Sequence, residues 1–98
     1  MAYTLRWTDR AANDYEKLVD YLIEKWGIEI TLDVVHDFER TFSQLEKFPK
    51  HYPVFLKKKN IRRCVVSPQT SIFFKAEEGV VEILTLFDNR QSPKKLKL

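Results

Sequence analysis

Most of the charged side chains in the second half of this 98-residue chain are basic and could bind an anionic ligand. Arg62 and Lys75 lie in alternating apolar segments, Arg90 follows a third such segment, and Lys94 and Lys95 come soon after it. An arginine on an open sheet face can hold a phosphate or a carboxylate through two parallel hydrogen bonds. We therefore predict an anion-binding surface formed by Arg62, Lys75, Arg90, Lys94 and Lys95.

The sequence has few residues of the types that metal binding or nucleophilic catalysis requires. His36 and His51 are the only histidines and Cys64 is the only cysteine, which is too few for a metal-ligand cluster or a nucleophilic triad. No glycine-rich loop that could cradle a phosphate is present. We therefore expect neither a metal site nor a cofactor, and we interpret Cys64 as a small buried apolar residue.

The charges are divided unevenly along the chain. Residues 1–49 hold six Lys or Arg and ten Asp or Glu, whereas residues 50–98 hold eleven and four. Such asymmetry indicates a polyanion or an acidic protein as partner. The alternative is a solvated surface whose two halves attract each other.

Length and cysteine content restrict the organisation and location of the protein. A chain of 98 residues fits one domain, which we place at 1–98. A single cysteine favours a reducing compartment, and acidic residues interrupt the start of the chain before any apolar run suited to export or membrane insertion. We expect a cytoplasmic protein without membrane contact.

Two helices are predicted in the first half. Thr8 is a suitable N-cap, apolar residues then recur at helical spacing as far as Trp26, and Gly27 ends the pattern. A second helical pattern covers residues 30–47 and closes at Pro49. So short a connection predicts an antiparallel helical hairpin.

Strand patterns cover residues 2–7, 60–66, 71–77 and 80–87, with turns at 67–70 and 78–79. The predicted fold is α+β, in the order β-α-α-β-β-β, with the helical hairpin on one face of an antiparallel sheet. Alternation separates Arg62 from Ile61 and Arg63. If the helices cover the face of Ile61, Arg62 points to the open face, and Arg63 is a structural residue that reaches solvent or pairs with a helical carboxylate.

Four segments in this order resemble the RelE/ParE superfamily, the toxin halves of bacterial type II toxin-antitoxin, or plasmid stabilisation, pairs. The segments are WTDRAANDYEKLVDYL after the first strand, LEKFPKHYP, IRRCVVSPQTSIFFKAEEGVVEILTLF and DNRQSPKKL. The resemblance spans nearly the whole chain. It implies the same fold, growth inhibition as the activity and a cognate antitoxin as the partner.

The superfamily includes metal-independent mRNA endonucleases of the RelE type, which use a basic cluster on the open sheet face. Arg62 matches a basic strand position of that cluster, and Arg90 matches the arginine after the last strand. Other positions depart from the pattern: Cys64 replaces a lysine, Ser71 replaces an arginine, and Leu96 or a near neighbour lies where a tail tyrosine is expected. The resemblance therefore supplies only Arg62 and Arg90 as catalytic candidates.

A general base is also missing from the matched positions, because Asp88 stands where many relatives have histidine. Attack by a 2′-hydroxyl on a phosphodiester needs charge stabilisation and proton transfer, so Tyr52 or Asp88 would have to serve. A ParE-like toxin that binds DNA gyrase and is neutralised by an acidic antitoxin needs no such set. The alternatives are a ribosome-dependent mRNA endonuclease and a non-toxic binding module for an acidic peptide or a nucleic acid.

Overall fold

Two helices and five strands form the α+β fold of this protein, and the computed structural model describes residues 2–98. The elements are, in chain order, β1 (Thr4–Trp7), α1 (Asp9–Trp26), α2 (Ile28–Lys47), β2 (Val54–Leu56), β3 (Ile61–Val65), β4 (Thr70–Glu77) and β5 (Val80–Asp88). Short 3-10 turns follow α2, β2 and β5, at Pro49–His51, Lys57–Lys59 and Pro93–Lys95. The α+β class predicted from the sequence is confirmed.

Helix α1 begins at the predicted N-cap. The Thr8 hydroxyl oxygen accepts a hydrogen bond from the backbone N–H of Ala11 at 3.1 Å and donates to the carbonyl of Ile83 at 2.8 Å. One side chain therefore caps the helix and attaches its first turn to β5. Asp9 lies in this first turn, where its negative charge complements the helix dipole.

Gly27 separates the two helices by a single residue. Its φ of +88° lies in the region that favours glycine, and its N–H donates to the Ile23 carbonyl at 2.9 Å. Helix α2 starts at once, two residues earlier than predicted, because the Gly27 carbonyl accepts the first hydrogen bond of the new helix from Thr31. Tyr15 and Phe38 are separated from Gly27 by similar lengths of chain, and the contact of their rings therefore shows that α2 folds back antiparallel to α1.

The sheet has the strand order β1-β5-β4-β3-β2. The predicted antiparallel meander of the last three strands is confirmed, whereas β1 lies parallel to β5, which makes the sheet mixed. The three-residue strand β2 extends the opposite edge next to β3 and was not predicted. Side-chain alternation does not encode the direction of a pairing between distant strands, so the parallel pair was not readable from the pattern.

The helical hairpin covers one face of the sheet and forms the main core with it. Rings of Trp7, Tyr15 and Phe42 meet there, with centroids 4.9 to 5.7 Å apart and inclined to one another. Such tilted contacts suit the charge distribution of aromatic rings. The buried residues of this core are Ala11, Phe38, Phe42, Leu45, Cys64, Ile72, Phe74, Ala76, Val81 and Ile83.

Asp14 of α1 completes the hydrogen bonding of β5 where β1 ends. The register of β4 and β5 shifts between Phe73 and Phe74, so that Leu84 is an extra residue in β5. Just beyond it, the Asp14 carboxylate accepts hydrogen bonds from the Thr85 hydroxyl at 2.5 Å and from the Leu86 N–H at 3.3 Å. A helix side chain thus replaces the missing strand neighbour.

The face assignment of β3 was wrong. Cys64 belongs to the core under the helices, and Arg62 shares its face, whereas Arg63 lies on the open face beside Phe73. Residues 61, 63 and 65 comprise one arginine and two apolar residues, and so do residues 62, 64 and 66. Alternation alone therefore did not show which of the two sets faces the helices. Pairing with β4 decides the phase, because Ile72 and Phe74 enter the core and oppose Cys64 and Arg62.

Candidate functional site

Arg62 is held by backbone carbonyl groups of the segment before β2. Its Nη1 donates to the carbonyl of Tyr52 at 2.7 Å and, at the limit of hydrogen-bond length, to that of Lys50 at 3.4 Å. Its Nε is buried and has no hydrogen-bond partner in the part of the chain that the structure describes. Arg62 therefore connects β3 to the Pro49–His51 turn, and much of its donor capacity faces protein.

Arg63 occupies the open-face position that had been expected for Arg62. Its guanidinium carbon lies 6.0 Å from the ring centre of Phe55 and 5.9 Å from that of Phe73. Its Nε donates to the Ser71 hydroxyl at 3.0 Å and its Nη2 to the Asn89 side-chain oxygen at 3.2 Å. The expected pairing of Arg63 with a helical carboxylate was thus wrong, because the helices lie on the other face.

Ser71 and Asn89 form the polar support of Arg63. The Ser71 hydroxyl donates to the Asn89 oxygen at 2.7 Å, and the Asn89 amide nitrogen donates to the Pro68 carbonyl at 3.3 Å. The Asn89 backbone N–H donates to the Gln69 carbonyl at 2.7 Å. Neither residue was predicted as functional, although both flank strand ends, where polar side chains can point at a neighbouring strand.

Arg90 forms an ion pair with Asp88. Its Nε and Nη2 donate to the two Asp88 carboxylate oxygens at 3.0 and 2.9 Å. These hydrogen bonds lower the pKa of the Asp88 carboxyl group, so Asp88 is a weak proton acceptor. The pair uses two of the five N–H donors of Arg90, whose side chain is 63% exposed, and leaves the other three to solvent.

The predicted lysines lie apart from one another. Lys75 is on β4 opposite Glu82, whereas Arg90 follows the far end of β5, about 20 Å away along the strand direction. Lys94 and Lys95 are exposed in the Pro93–Lys95 turn. The structure therefore brings Arg90 and Lys95 to a common groove and leaves Lys75 outside it.

This groove, of about 780 Å³, lies between the helices and the far ends of β3, β4 and β5. Its volume is within the range of ligand pockets and suits a row of side chains from a partner. Its apolar lining includes Leu18, Leu22, Val34, Phe38 and Leu86, and its basic lining comprises Arg10, Lys17, Lys25, Arg90 and Lys95. We refer to it as the helix-side groove.

Cys64 and Tyr52 have pKa values above the neutral range. Burial raises the pKa of the Cys64 thiol to about 11, so that the thiolate nucleophile is scarce. Burial also raises the pKa of Tyr52, with a smaller effect of Cys64 in the same direction. Within residues 2–98, no three His, Cys, Asp or Glu side chains gather as metal ligands, and no helix is long and apolar enough to cross a membrane.

The fold, with two helices on one face of a five-stranded sheet, defines the class as the RelE/ParE superfamily of type II toxins. Residues 5–93 match the family described as the ParE toxin of the type II toxin-antitoxin system parDE, and the chain belongs to this family. Membership implies an antitoxin as partner. The comparison with curated proteins gives no match.

Three solved structures share the fold at low sequence identity. The chromosomal ParDE toxin-antitoxin system from P. aeruginosa has a TM-score of 0.75 at 20% identity, over 89% of this chain and 96% of that one. The conserved hypothetical protein HP0894 from Helicobacter pylori has a TM-score of 0.59 at 16% identity, over 91% and 97%. A copper-bound mutant toxin from Helicobacter pylori has a TM-score of 0.52 at 17% identity, over 89% and 94%.

Proposed function

We propose that this chain, as a single toxin domain over residues 1–98, inhibits bacterial growth by binding DNA gyrase and is neutralised by an acidic antitoxin. The observation that carries the choice of target is the engagement of both nuclease-type arginines. Arg62 donates to backbone carbonyls and Arg90 to the Asp88 carboxylate. A guanidinium that already has such partners stabilises a developing phosphate charge less than a free one does.

Proton transfer gives a second argument against cleavage. Asp88 has a lowered pKa, because Arg90 donates hydrogen bonds to it, and Tyr52 has a raised pKa, because it is partly buried. Efficient general acids and bases have pKa values near the working pH. An inhibitor that acts by binding requires neither group.

An acidic antitoxin is favoured by the charges around the helix-side groove. Five basic residues line it against three acidic ones, and the pairing of Arg90 with Asp88 leaves four basic residues against two acidic ones. Its apolar lining offers burial to one face of a partner helix, with the basic side chains near the polar face of that helix. The excess of basic side chains, three of them in α1 and two in residues 90–95, supports an acidic partner.

The test combines expression in bacteria with a purified gyrase assay. Production of the chain without an antitoxin should arrest growth and induce DNA-damage signalling. Purified chain should block supercoiling of relaxed plasmid by DNA gyrase and ATP. Harmless accumulation at high level would refute the toxin proposal, and growth arrest with unimpaired supercoiling would refute the target.

The mRNA endonuclease alternative makes a separate prediction for the same cells. Ribosome-bound mRNA would be cut, and Arg62→Ala and Arg90→Ala would abolish the cleavage. A non-toxic binding module, the third alternative, would leave growth, supercoiling and mRNA unchanged. The three outcomes are therefore distinguishable in one set of strains.

A further inference from the structure

Arg63 is a half-buried cation that faces no carboxylate within residues 2–98. The ion pairs found in that part of the chain are Arg6 with Glu82, Arg40 with Asp37, and Arg90 with Asp88. The partners of Arg63 are the neutral oxygens of Ser71 and Asn89, and its Nη1 donates no hydrogen bond in the described chain. A guanidinium has five N–H donors, so these two bonds leave three, two on Nη1 and one on Nη2, for an anion.

The surroundings fix the position of this cation. Phe55 and Phe73 flank it on the open face, and the Ser71–Asn89 pair holds two of its nitrogens. Because the side chain is already immobilised, an incoming anion meets a preorganised donor and orders little else. Arg63 therefore has the arrangement of a recognition residue.

Exposed apolar surface adjoins the guanidinium. Phe55 is 47% exposed although its ring packs on Phe73 at 4.9 Å, and Val65, which shares the face of Arg63, is 57% exposed. An aromatic ring beside an arginine is a frequent combination at the centre of protein interfaces. The site thus offers one anion position next to an apolar contact.

We propose that Arg63 binds a carboxylate from an extended acidic segment of a protein partner, whose neighbouring apolar side chains contact Phe55 and Val65. The inference rests on the proposed function, because it names a surface that the neutralising partner would use in addition to the helix-side groove. A carboxylate matches the planar donors of Arg63 and compensates a half-buried charge.

A peptide fits the open face better than a nucleic acid does. Elsewhere on this face, Arg6 donates to Glu82 at 2.9 Å, and Lys75 lies opposite the same glutamate. Glu82 offsets one of these two positive charges, so Lys75 is the single uncompensated cation of the three residues and does not form a continuous basic track with Arg63 across β4 and β5. Nucleic acids are held through several phosphates, whereas one cation beside apolar side chains suits an alternating acidic and apolar peptide.

The test uses a fluorescein-labelled decapeptide of alternating Asp and Leu, its Asn-Leu counterpart, and a single-stranded decanucleotide RNA. Binding to the purified chain is measured by fluorescence anisotropy at low and high salt. Arg63→Gln should weaken binding of the acidic peptide about tenfold or more. Arg6→Gln, which changes an ion-paired arginine on the same face, should change it less than about twofold.

A second measurement uses the unaltered chain and does not depend on folding of a variant. In NMR spectra, the acidic peptide should shift the Arg63 Nε–H signal and the backbone amides of Ser71 and Asn89. The proposal is overturned if these signals stay fixed, if the Asn-Leu peptide binds as tightly, if RNA binds more tightly, or if Arg6→Gln has the larger effect. Absence of peptide binding also overturns it.

The proposed function and this inference can fail separately. Peptide binding is measured without gyrase and without cells. Normal growth on expression of the chain would refute the proposed function. Growth arrest, combined with an Arg63 Nε–H signal that the acidic peptide does not shift, would refute only the acidic-segment site.

Discussion

Arg62 should contribute to stability through its hydrogen bond with Tyr52. Replacement by alanine removes the 2.7 Å bond to the Tyr52 carbonyl, and a hydrogen bond from a charged donor contributes about 1.5–3 kcal/mol. The 3.4 Å contact with the Lys50 carbonyl adds little, because it lies beyond good hydrogen-bond geometry. We therefore expect Arg62→Ala to lower the free energy of unfolding by less than the value of two such bonds.

An opposing effect reduces this loss. The Nε of Arg62 is buried without a partner in the described chain, and an unsatisfied buried donor costs about 1–3 kcal/mol in the native protein. Arg62→Ala removes this cost along with the bond. The two effects, together with the lost packing of the side chain, give a net destabilisation of about 1–2 kcal/mol for Arg62→Ala. Arg62→Lys should destabilise the protein less, because lysine has no Nε to leave unpaired and can still donate to the Tyr52 carbonyl.

Urea unfolding monitored by circular dichroism measures these differences. For a chain of this size, a loss of about 1–2 kcal/mol corresponds to a Tm lower by roughly 5–15 °C. Arg40→Ala is the matched control, because that side chain is 79% exposed and its ion pair with Asp37 is on the surface. A stability change for Arg62→Ala no larger than that of Arg40→Ala would refute the stabilising role.

The same variant separates stability from target binding. At a temperature where Arg62→Ala is fully folded, growth arrest should persist, because the side chain is committed to backbone carbonyls under the helices. Complete loss of growth arrest by a folded Arg62→Ala protein would show that Arg62 acts on the target directly.

Two further substitutions test other features of the fold. Asp14→Ala should destabilise the protein by about 1.5–3 kcal/mol in urea unfolding, because the buried Thr85 hydroxyl and the Leu86 N–H lose their acceptor. The control Asp20→Ala, on the exposed side of α1, should change the free energy of unfolding by less than about 0.5 kcal/mol. Equal effects of the two substitutions would contradict the role of Asp14. The Cys64 thiol has an ordinary pKa of 9.0 and a folded-state pKa of about 11, so its stabilising contribution is complete below pH 9 and is lost as the pH rises towards 11. The free energy of unfolding should therefore fall over this interval more steeply in the native protein than in Cys64→Ala, and parallel curves would contradict the assignment.

Local signals in the sequence were sufficient for the helices and the meander. Thr8 caps α1 as predicted, and Gly27 both ends α1 and opens α2, because these residues act through their own backbone and side-chain geometry. The turns around Pro68 and Gly79 separate strands whose ends lie within two residues of the prediction. Each of these features depends on contacts between neighbours in the chain.

The site was less predictable because it depends on which face of β3 meets the helices. A shift of the strand register by one residue would exchange the faces of Arg62 and Arg63, and each of the two alternating sets of residues in 61–66 contains two apolar residues. The choice is made by pairing with β4 and by the fit of Cys64 into the core. The Asp88–Arg90 ion pair, by contrast, was accessible to sequence reasoning, since two residues of opposite charge stand two positions apart at a strand end.

Parallel pairing of β1 with β5 has a consequence for synthesis of the protein. Trp7 is in register with Ile83, so the sheet closes only after a contact between residues separated by 76 positions can form. At roughly 5–20 residues per second, the ribosome needs about 4–15 s to extend the chain from one to the other. During this interval the helical hairpin lacks the central strands of its core, and a partner already present in the cell could bind the growing chain before the complete sheet exists.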